Sequence, residues 1–519
     1  MGGSDDDGKV TRRDWLKTVG AVAGGTALLG PLAACDEGAT PQGDADATAG
    51  PDASGPDALA DVAMQPDASG PDIQVDSADV PPARPGLTPL RGDGSHPFHY
   101  IDTLVIVQME NRSFDHFLGS LSLVDGRADV DGLTAAMTNP GLDGTLVAPR
   151  KLGSEHVISP DPSHSHTRAL DQWNGGKNDG FVKAWEPLLS PAEFALKRDY
   201  IMGYHTRETL PVTYALADAF TVCDRWFCSL LGPTWPNRFY SHAATSDGQW
   251  GNKEFLTAPT LYPLLEEAGY TYGCFHANLL YFMFTIASLS VDDHHAEPLD
   301  LFFENAAAGT LPNVCILDPA FGAGSDHPPE DTRQGQIFIG SVYEALRQSP
   351  QWERSMMVLL YDENGGFYDH VAPPKAAGDE RAAEGFDQLG FRIPGLVIGP
   401  LAGRGQAFHG VVDHSSIPSL ISNVFGLPHL NERSRLAGDL GGALSLDLRF
   451  DDVRPVPPRV PPVDLSMEQF ERSLGLPSGQ PELEVAAATR GWRRDLRVER
   501  RMAERALWHS ERLGAVRIR

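Results

Sequence analysis

The sequence predicts an α/β/α sandwich with a mostly parallel central sheet, and three observations carry that expectation. Short runs dense in β-branched and other apolar residues recur at 101–109, 356–361 and 393–398, as in strands buried on both faces. Stretches with helical apolar spacing, such as 335–348, lie between them. Polar residues follow two of the strands directly: Glu110-Asn111 after the first, Asp362-Glu363 after the second. In a parallel sheet, groups that leave different strands at their carboxyl ends converge, so distance along the chain does not keep these pairs apart.

The first element is not part of that fold. Thr11-Arg12-Arg13-Asp14-Trp15-Leu16-Lys17 precedes an apolar run at 18–29 that is too short and too rich in Gly for a membrane span, and resembles a twin-arginine export signal. The run closes with Leu32-Ala33-Ala34-Cys35, similar to the box where bacterial lipoproteins are cleaved and acylated. Residues 1–35 are therefore expected to be an export signal that leaves the chain lipid-anchored at Cys35 in the cell envelope, in the periplasm or on the outer surface. Residues 36–95 repeat Pro51-Asp-Ala-Ser-Gly-Pro-Asp57 as Pro66-Asp-Ala-Ser-Gly-Pro-Asp72 and have few aromatics, a composition that cannot bury enough apolar surface to order itself. They read as an acidic, disordered linker. A catalytic domain is expected over 96–470, with a basic helical segment over 471–519.

Within that domain, 101–109 reads as a central strand. The helical spacing of 210–228 begins with Pro211 at a helix start, and Gly232-Pro233 ends it. Pro236 suits the first turn of a second helix, which places Thr234 at or just before its N-terminus, where free N–H groups suit a phosphate. A short helix is expected at 261–268, a strand at 314–317, an amphipathic helix at 335–348, and strands at 356–361 and 393–398. The arginine-dense 490–519 reads as a solvated helix packed on the domain, or one that touches anionic headgroups.

Composition excludes one function class. A formal net charge of -28 over 519 residues argues against a nucleic-acid surface, which needs a face rich in Lys and Arg. Besides Cys35 the chain has Cys223, Cys228, Cys274 and Cys315, an even number compatible either with disulfides outside the cytoplasm or with buried free thiols.

The segments Val107-Gln-Met-Glu110-Asn-Arg-Ser-Phe-Asp115-His-Phe-Leu-Gly119, Gly232-Pro-Thr-Trp-Pro-Asn-Arg238, Asp326-His-Pro-Pro329, Tyr361-Asp-Glu-Asn-Gly-Gly-Phe-Tyr-Asp-His-Val371 and Asp413-His-Ser-Ser416 together resemble the bacterial phosphoesterase family, over about residues 101–435. That family includes phospholipases C and an acid phosphatase on an alkaline-phosphatase-like fold. The resemblance implies that Glu110, Asn111, Asp362 and Glu363 hold one divalent cation, with the Thr234 hydroxyl bound beside it as the nucleophile. The residue chemistry agrees, because carboxylate and amide oxygens suit a hard cation and a cation offsets the repulsion of adjacent carboxylates. Magnesium, calcium, manganese, zinc and iron all accept such donors. His164, in Asp161-Pro-Ser-His164-Ser-His166, and His327 are candidates for orienting the phosphoryl group and protonating the leaving oxygen, with His414 and Asn237 as further catalytic candidates.

The expected reaction is in-line attack by Thr234 on a phosphodiester through a phosphothreonine intermediate, with a phospholipid as substrate. The alternatives are an acid phosphatase or phosphodiesterase for small soluble esters, and a surface lipoprotein that binds without catalysis. Trp226, Trp235, Tyr281, Phe282 and Phe284 would form either an apolar entrance for a lipid or part of the core.

Overall fold

Seven consecutive buried residues, Thr103–Met109, form the central strand β1 of the computed structural model, and their side chains leave it no solvated face. The structure describes residues 88–278, 282–288, 295–445, 458–473, 481–493 and 495–519. The expected export signal with Cys35, the linker through residue 87, and Tyr281 lie outside the described residues.

Seven further strands join β1: β2 (Thr221–Cys223), β3 (Tyr272–His276), β4 (Ala296–Pro298), β5 (Val314–Asp318), β6 (Ser355–Tyr361), β7 (Gly395–Ile398) and β8 (Gln406–Phe408). Across the sheet they run β8-β2-β7-β6-β1-β5-β3-β4. Every pairing is parallel except those of β7, which is antiparallel to both β6 and β2. In the register of β1 with β6, Met109 lies opposite Tyr361, so Glu110 and Asp362 leave the same edge side by side.

The helices form two layers. Helix α4 (Thr332–Gln348) packs against α1 (Pro211–Ala219), α3 (Leu299–Ala308) and α6 (Leu496–Leu513), whereas α2 (Thr234–Ala243) packs against α5 (Ser416–Phe425). Asp331 caps α4 by accepting the Arg333 N–H at 3.0 Å. The result is the α/β/α sandwich on a mostly parallel sheet that the sequence predicts.

Several local expectations give way. The helix expected over 210–228 stops at Ala219, and Thr221–Cys223 enters the sheet instead, because apolar spacing does not separate a helix from a short buried strand of β-branched residues. The strand expected at 393–398 forms, but with antiparallel sense. The C-terminal segment is not all helix: after α6, Val516–Ile518 pairs in parallel with Val463–Leu465, and the Ser510 and Ser341 hydroxyls, 2.7 Å apart, tie α6 to α4. Trp226, Trp235, Phe282 and Phe284 are all buried, so they belong to the core and build no entrance. Cys223, Cys228, Cys274 and Cys315 are buried free thiols. Among the described residues no helix is long and apolar enough to cross a membrane.

Candidate active site

The site is built from the carboxyl ends of β1 and β6. Asn111 turns the chain out of β1 in the left-handed region, φ 56°, which Asn tolerates better than most residues. Its backbone N–H donates to Asp362 Oδ1 at 2.9 Å, and the Glu363 N–H donates to the same oxygen at 2.7 Å. The Arg112 N–H reaches the Glu363 carbonyl at 3.0 Å, and Glu363 Oε2 accepts the Gly365 N–H at 2.6 Å. Gly365 is obligatory there, because its φ is 61° and a Cβ would meet the Asn111 carbonyl oxygen at 2.1 Å. The two strand ends are thereby locked together.

Once these bonds are made, one oxygen of each of three residues remains over. Asn111 Oδ1, Asp362 Oδ2 and Glu363 Oε1 are buried and have no hydrogen-bond partner. Buried polar atoms are nearly always satisfied, so three such acceptors around one locked turn need an electropositive partner. Burial above all, with Asp362 adding and His164 opposing, pushes the Glu363 carboxyl up to about 8. Burial and the neighbouring Asp362 likewise raise Glu110 well above the usual carboxylate range. Donors of this kind fit a hard divalent cation.

Glu110 differs from the other acidic residues. Its Oε1 is 2.5 Å from Arg238, whose guanidinium also pairs with Asp318 at 3.3 Å and lies 3.8 Å from Asp362 Oδ2. Arg238 is fully buried among three carboxylates, so its own removal would strand negative charge in low dielectric. It stands four residues after Thr234 in α2, and positions i and i+4 share a helix face. Thr234 and Arg238 therefore lie on one side of α2. Thr234 is buried at 1 % exposure in the first turn of α2. Asn237 fixes that turn: its Oδ1 accepts the Leu230 N–H at 3.0 Å, and its Nδ2 donates to the Gly232 and Pro233 carbonyls at 2.9 and 3.1 Å. The structure gives Asn237, a catalytic candidate from sequence, a bracing position.

The histidines separate into two kinds. His164 and His327 meet nearly edge to face with ring centroids 5.6 Å apart, and each spends Nδ1 on a nearby carbonyl: His164 on Pro162 at 2.8 Å, His327 on Pro328 at 2.7 Å. The Asn111 amide lies 3.4 Å from His164 Nε2, which puts this pair against the carboxylate turn. Burial works to lower the His164 pKa, but Glu363 and Asp161 more than reverse this and hold it up to about 9. His414 is of the other kind. Its Nε2 donates to the Tyr361 carbonyl at 3.0 Å, its Nδ1 faces Ser229 Oγ at 3.4 Å, and burial pushes it down to about 4. These bonds tie it to the last residue of β6.

His242, in the last turn of α2, shows what such burial does to stability. Burial pushes it down to about 3, with Arg238 adding, and its Nδ1 lies 2.6 Å from the Tyr262 hydroxyl. Folded His242 stays neutral while the unfolded chain takes a proton near 6.5, so its contribution is complete above that pH and is lost as pH falls toward about 3. His242→Gln should flatten this loss. In urea unfolding the variant is expected to regain up to about 2 kcal/mol relative to wild type between pH 8 and pH 5.

Among the described residues, two groups bring three ligand-type atoms within 4.8 Å of one another: Asp161 with His164 and His327, and Asp115 with Asp369 and His370. Neither contains Glu110, Asp362 or Glu363. Arg392 already occupies the second group, 3.0 Å from Asp115 and 2.9 Å from Asp369, so that group is a buried ion network. The first is part of the candidate site, and Asp161 was not among the residues picked out from the sequence. Its place three residues before His164 was the readable signal. Nothing in the sequence links Arg238 to Glu110, 128 positions away.

Comparison with known proteins gives three findings. The sequence model of the phosphoesterase family matches residues 101–428. Non-specific phospholipase C3 of Arabidopsis thaliana is 33% identical over 433 residues, covering 75% of this chain and 82% of its own, and phospholipase C B of Mycobacterium tuberculosis is 32% identical over 410 residues, covering 65% and 76%. Among solved structures, the phosphonate monoester hydrolase of Agrobacterium radiobacter aligns over 73% of this chain and 84% of its own, at 11% identity and a TM-score of 0.34.

Proposed function

The chain belongs to the phosphoesterase family, and from that premise we propose that it is a metal-dependent phospholipase C. The observation that carries this reading is the set of buried oxygens on Asn111, Asp362 and Glu363 that no hydrogen bond satisfies. Those three residues, with Glu110 and the Thr234 hydroxyl, would hold the cation. When bound, a divalent cation lowers the pKa of a coordinated hydroxyl and offsets charge on phosphoryl oxygens.

The chain's own residues account for the remaining steps. Thr234 Oγ1 attacks phosphorus in line as the bond to the glycerol oxygen breaks, and the hydroxyl proton passes to solvent. His164, whose pKa Glu363 and Asp161 raise against the effect of burial, gives its proton to the departing diacylglycerol oxygen. Water then attacks phosphorus: its hydroxyl leaves on the phosphorylated headgroup, its proton returns to His164, and the departing Thr234 Oγ1 takes back a proton from solvent. Export and a lipid anchor at Cys35 would hold the enzyme at the membrane that supplies its substrate.

Relatives named as phospholipases C favour a lipid over a small soluble ester. Parallel assays on phosphatidylcholine and p-nitrophenyl phosphate test the choice. A kcat/KM at least about tenfold higher on the lipid is expected, equivalent to about 1.4 kcal/mol of transition-state preference. The reverse order would make it a phosphatase of soluble esters, and no turnover on either would leave a binding protein.

A further inference from the structure

A mainly apolar cavity of 310 Å³, whose lining also includes Gln334 and Glu499, lies between α6 and the catalytic body. Its walls include Phe303 of α3, Ile337 and Phe338 of α4, Ala503 and Ala506 of α6, and Phe321 from the loop that follows β5. That size is at the lower end of small-molecule sites and roughly twice that of a cavity known to take benzene. Well-packed interiors rarely leave such a space.

Its position links it to the chemistry. Residues Ala320 to Gly324 leave the carboxyl end of β5, next to β1 in the sheet, and Ala277 and Asn278 leave that of β3, so the cavity opens off the same sheet edge as the acidic site. The loop that forms its wall goes on to carry Asp326 and His327. Glu330 holds that loop rigid by accepting the N–H groups of Gly322 and Gly324 at 2.7 Å and of Ser325 at 2.6 Å. Gly324 is three residues from His327, a reach of at most about 11 Å. Phe321 has one side on the cavity and its ring 5.6 Å beneath the Arg238 guanidinium that pairs with Glu110. The outer rim is charged and exposed, with Arg500 of α6 paired to Glu471 at 3.1 Å. The four described aromatics that the sequence offers as a lipid entrance are all core, which leaves this cavity to receive the apolar part of a lipid.

We propose that the cavity is an acyl-chain site that takes one hydrocarbon chain of the lipid whose phosphodiester is cut at the acidic edge. The identity of that lipid as substrate rests on the phospholipase reading; the capacity to hold a hydrocarbon chain does not. A long chain leaves water for Phe303, Phe321, Ile337 and Phe338, and each buried methylene favours binding by roughly fourfold.

Two measurements on the full chain test this. Saturable binding of a dansyl-labelled undecanoic acid is read by fluorescence in wild type, Ala503→Phe and Ala506→Phe, with the melting temperature of each as a check on folding. Turnover is read on phosphatidylcholines with acyl chains of increasing length and on p-nitrophenyl phosphorylcholine, which has no acyl chain. Wild type should bind the probe, and kcat/KM should rise steeply with chain length. Both fillers should weaken probe binding at least tenfold and flatten the chain-length slope, yet leave turnover of p-nitrophenyl phosphorylcholine within about twofold. Absence of saturable probe binding to wild type overturns the proposal, as does an unchanged slope in a folded filler. Fillers that block the probe but leave the slope intact would assign the cavity to a free fatty acid and overturn the substrate assignment. An enzyme that binds the probe but turns over no phosphoester would defeat the phospholipase reading alone.

Discussion

Thr234→Ala lowers kcat/KM by at least about a thousandfold on any phosphoester the enzyme accepts, while the protein remains folded. The factor is modest for a lost nucleophile, since removing one in a serine protease costs about a millionfold in kcat. A threonine at a helix start can also serve as a cap, although here Pro233 holds the N-cap position and no side chain caps the helix. Magnitudes separate the two roles. Loss of a capping contact costs about 1 kcal/mol of stability, whereas a thousandfold drop in rate is about 4 kcal/mol of transition-state stabilisation that leaves the unfolding midpoint almost untouched. The turn that presents Thr234 is held by Asn237 and not by the threonine, so the alanine variant should keep its backbone. Thr234→Ser keeps an oxygen in place and should retain measurable turnover. Equal activity of wild type and Thr234→Ala would remove Thr234 from the mechanism.

How far the sequence reaches depends on the range of the forces involved. Strands β1 and β6 were legible because burial on both faces writes an unbroken apolar run, and the ligand-type residues follow each run immediately. The antiparallel sense of β7 was not, since a strand's direction in a sheet depends on a crossover and not on its own residues. Strands β4 and β8 have three residues each, too few for a period, and β2 was hidden inside a helical one. The site shows the same limit. Asp362 and Glu363 announce themselves as adjacent carboxylates, but whether His414 faces a substrate or braces a strand depends on the Tyr361 carbonyl, 53 positions away. Asn237 is similar: its three-residue distance from Thr234 is readable in the sequence, whereas the engagement of both ends of its amide by the turn is visible only in the structure.

Asp362→Asn abolishes the response to divalent cations without weakening the metal-free protein. Asp362 Oδ1 accepts the N–H groups of Asn111 and Glu363, and an asparagine carbonyl can accept both, so the substitution alters only Oδ2, the partnerless oxygen near Arg238. It also removes one negative charge from a buried edge where Asp362 raises the pKa of both Glu110 and Glu363. Chelated Asp362→Asn is therefore expected to be as stable as chelated wild type, or more so. Returning cation at a hundred times its dissociation constant should stabilise wild type by about 2.7 kcal/mol and restore its turnover, because only the folded state assembles the site. The variant should gain neither stability nor activity. If Asp362 were a structural residue alone, the order would invert: the variant would be less stable than wild type under chelation, and added cation would change neither protein. Denaturant titrations of both proteins with and without chelator, followed by metal analysis of wild type purified without it, separate these outcomes and identify the ion.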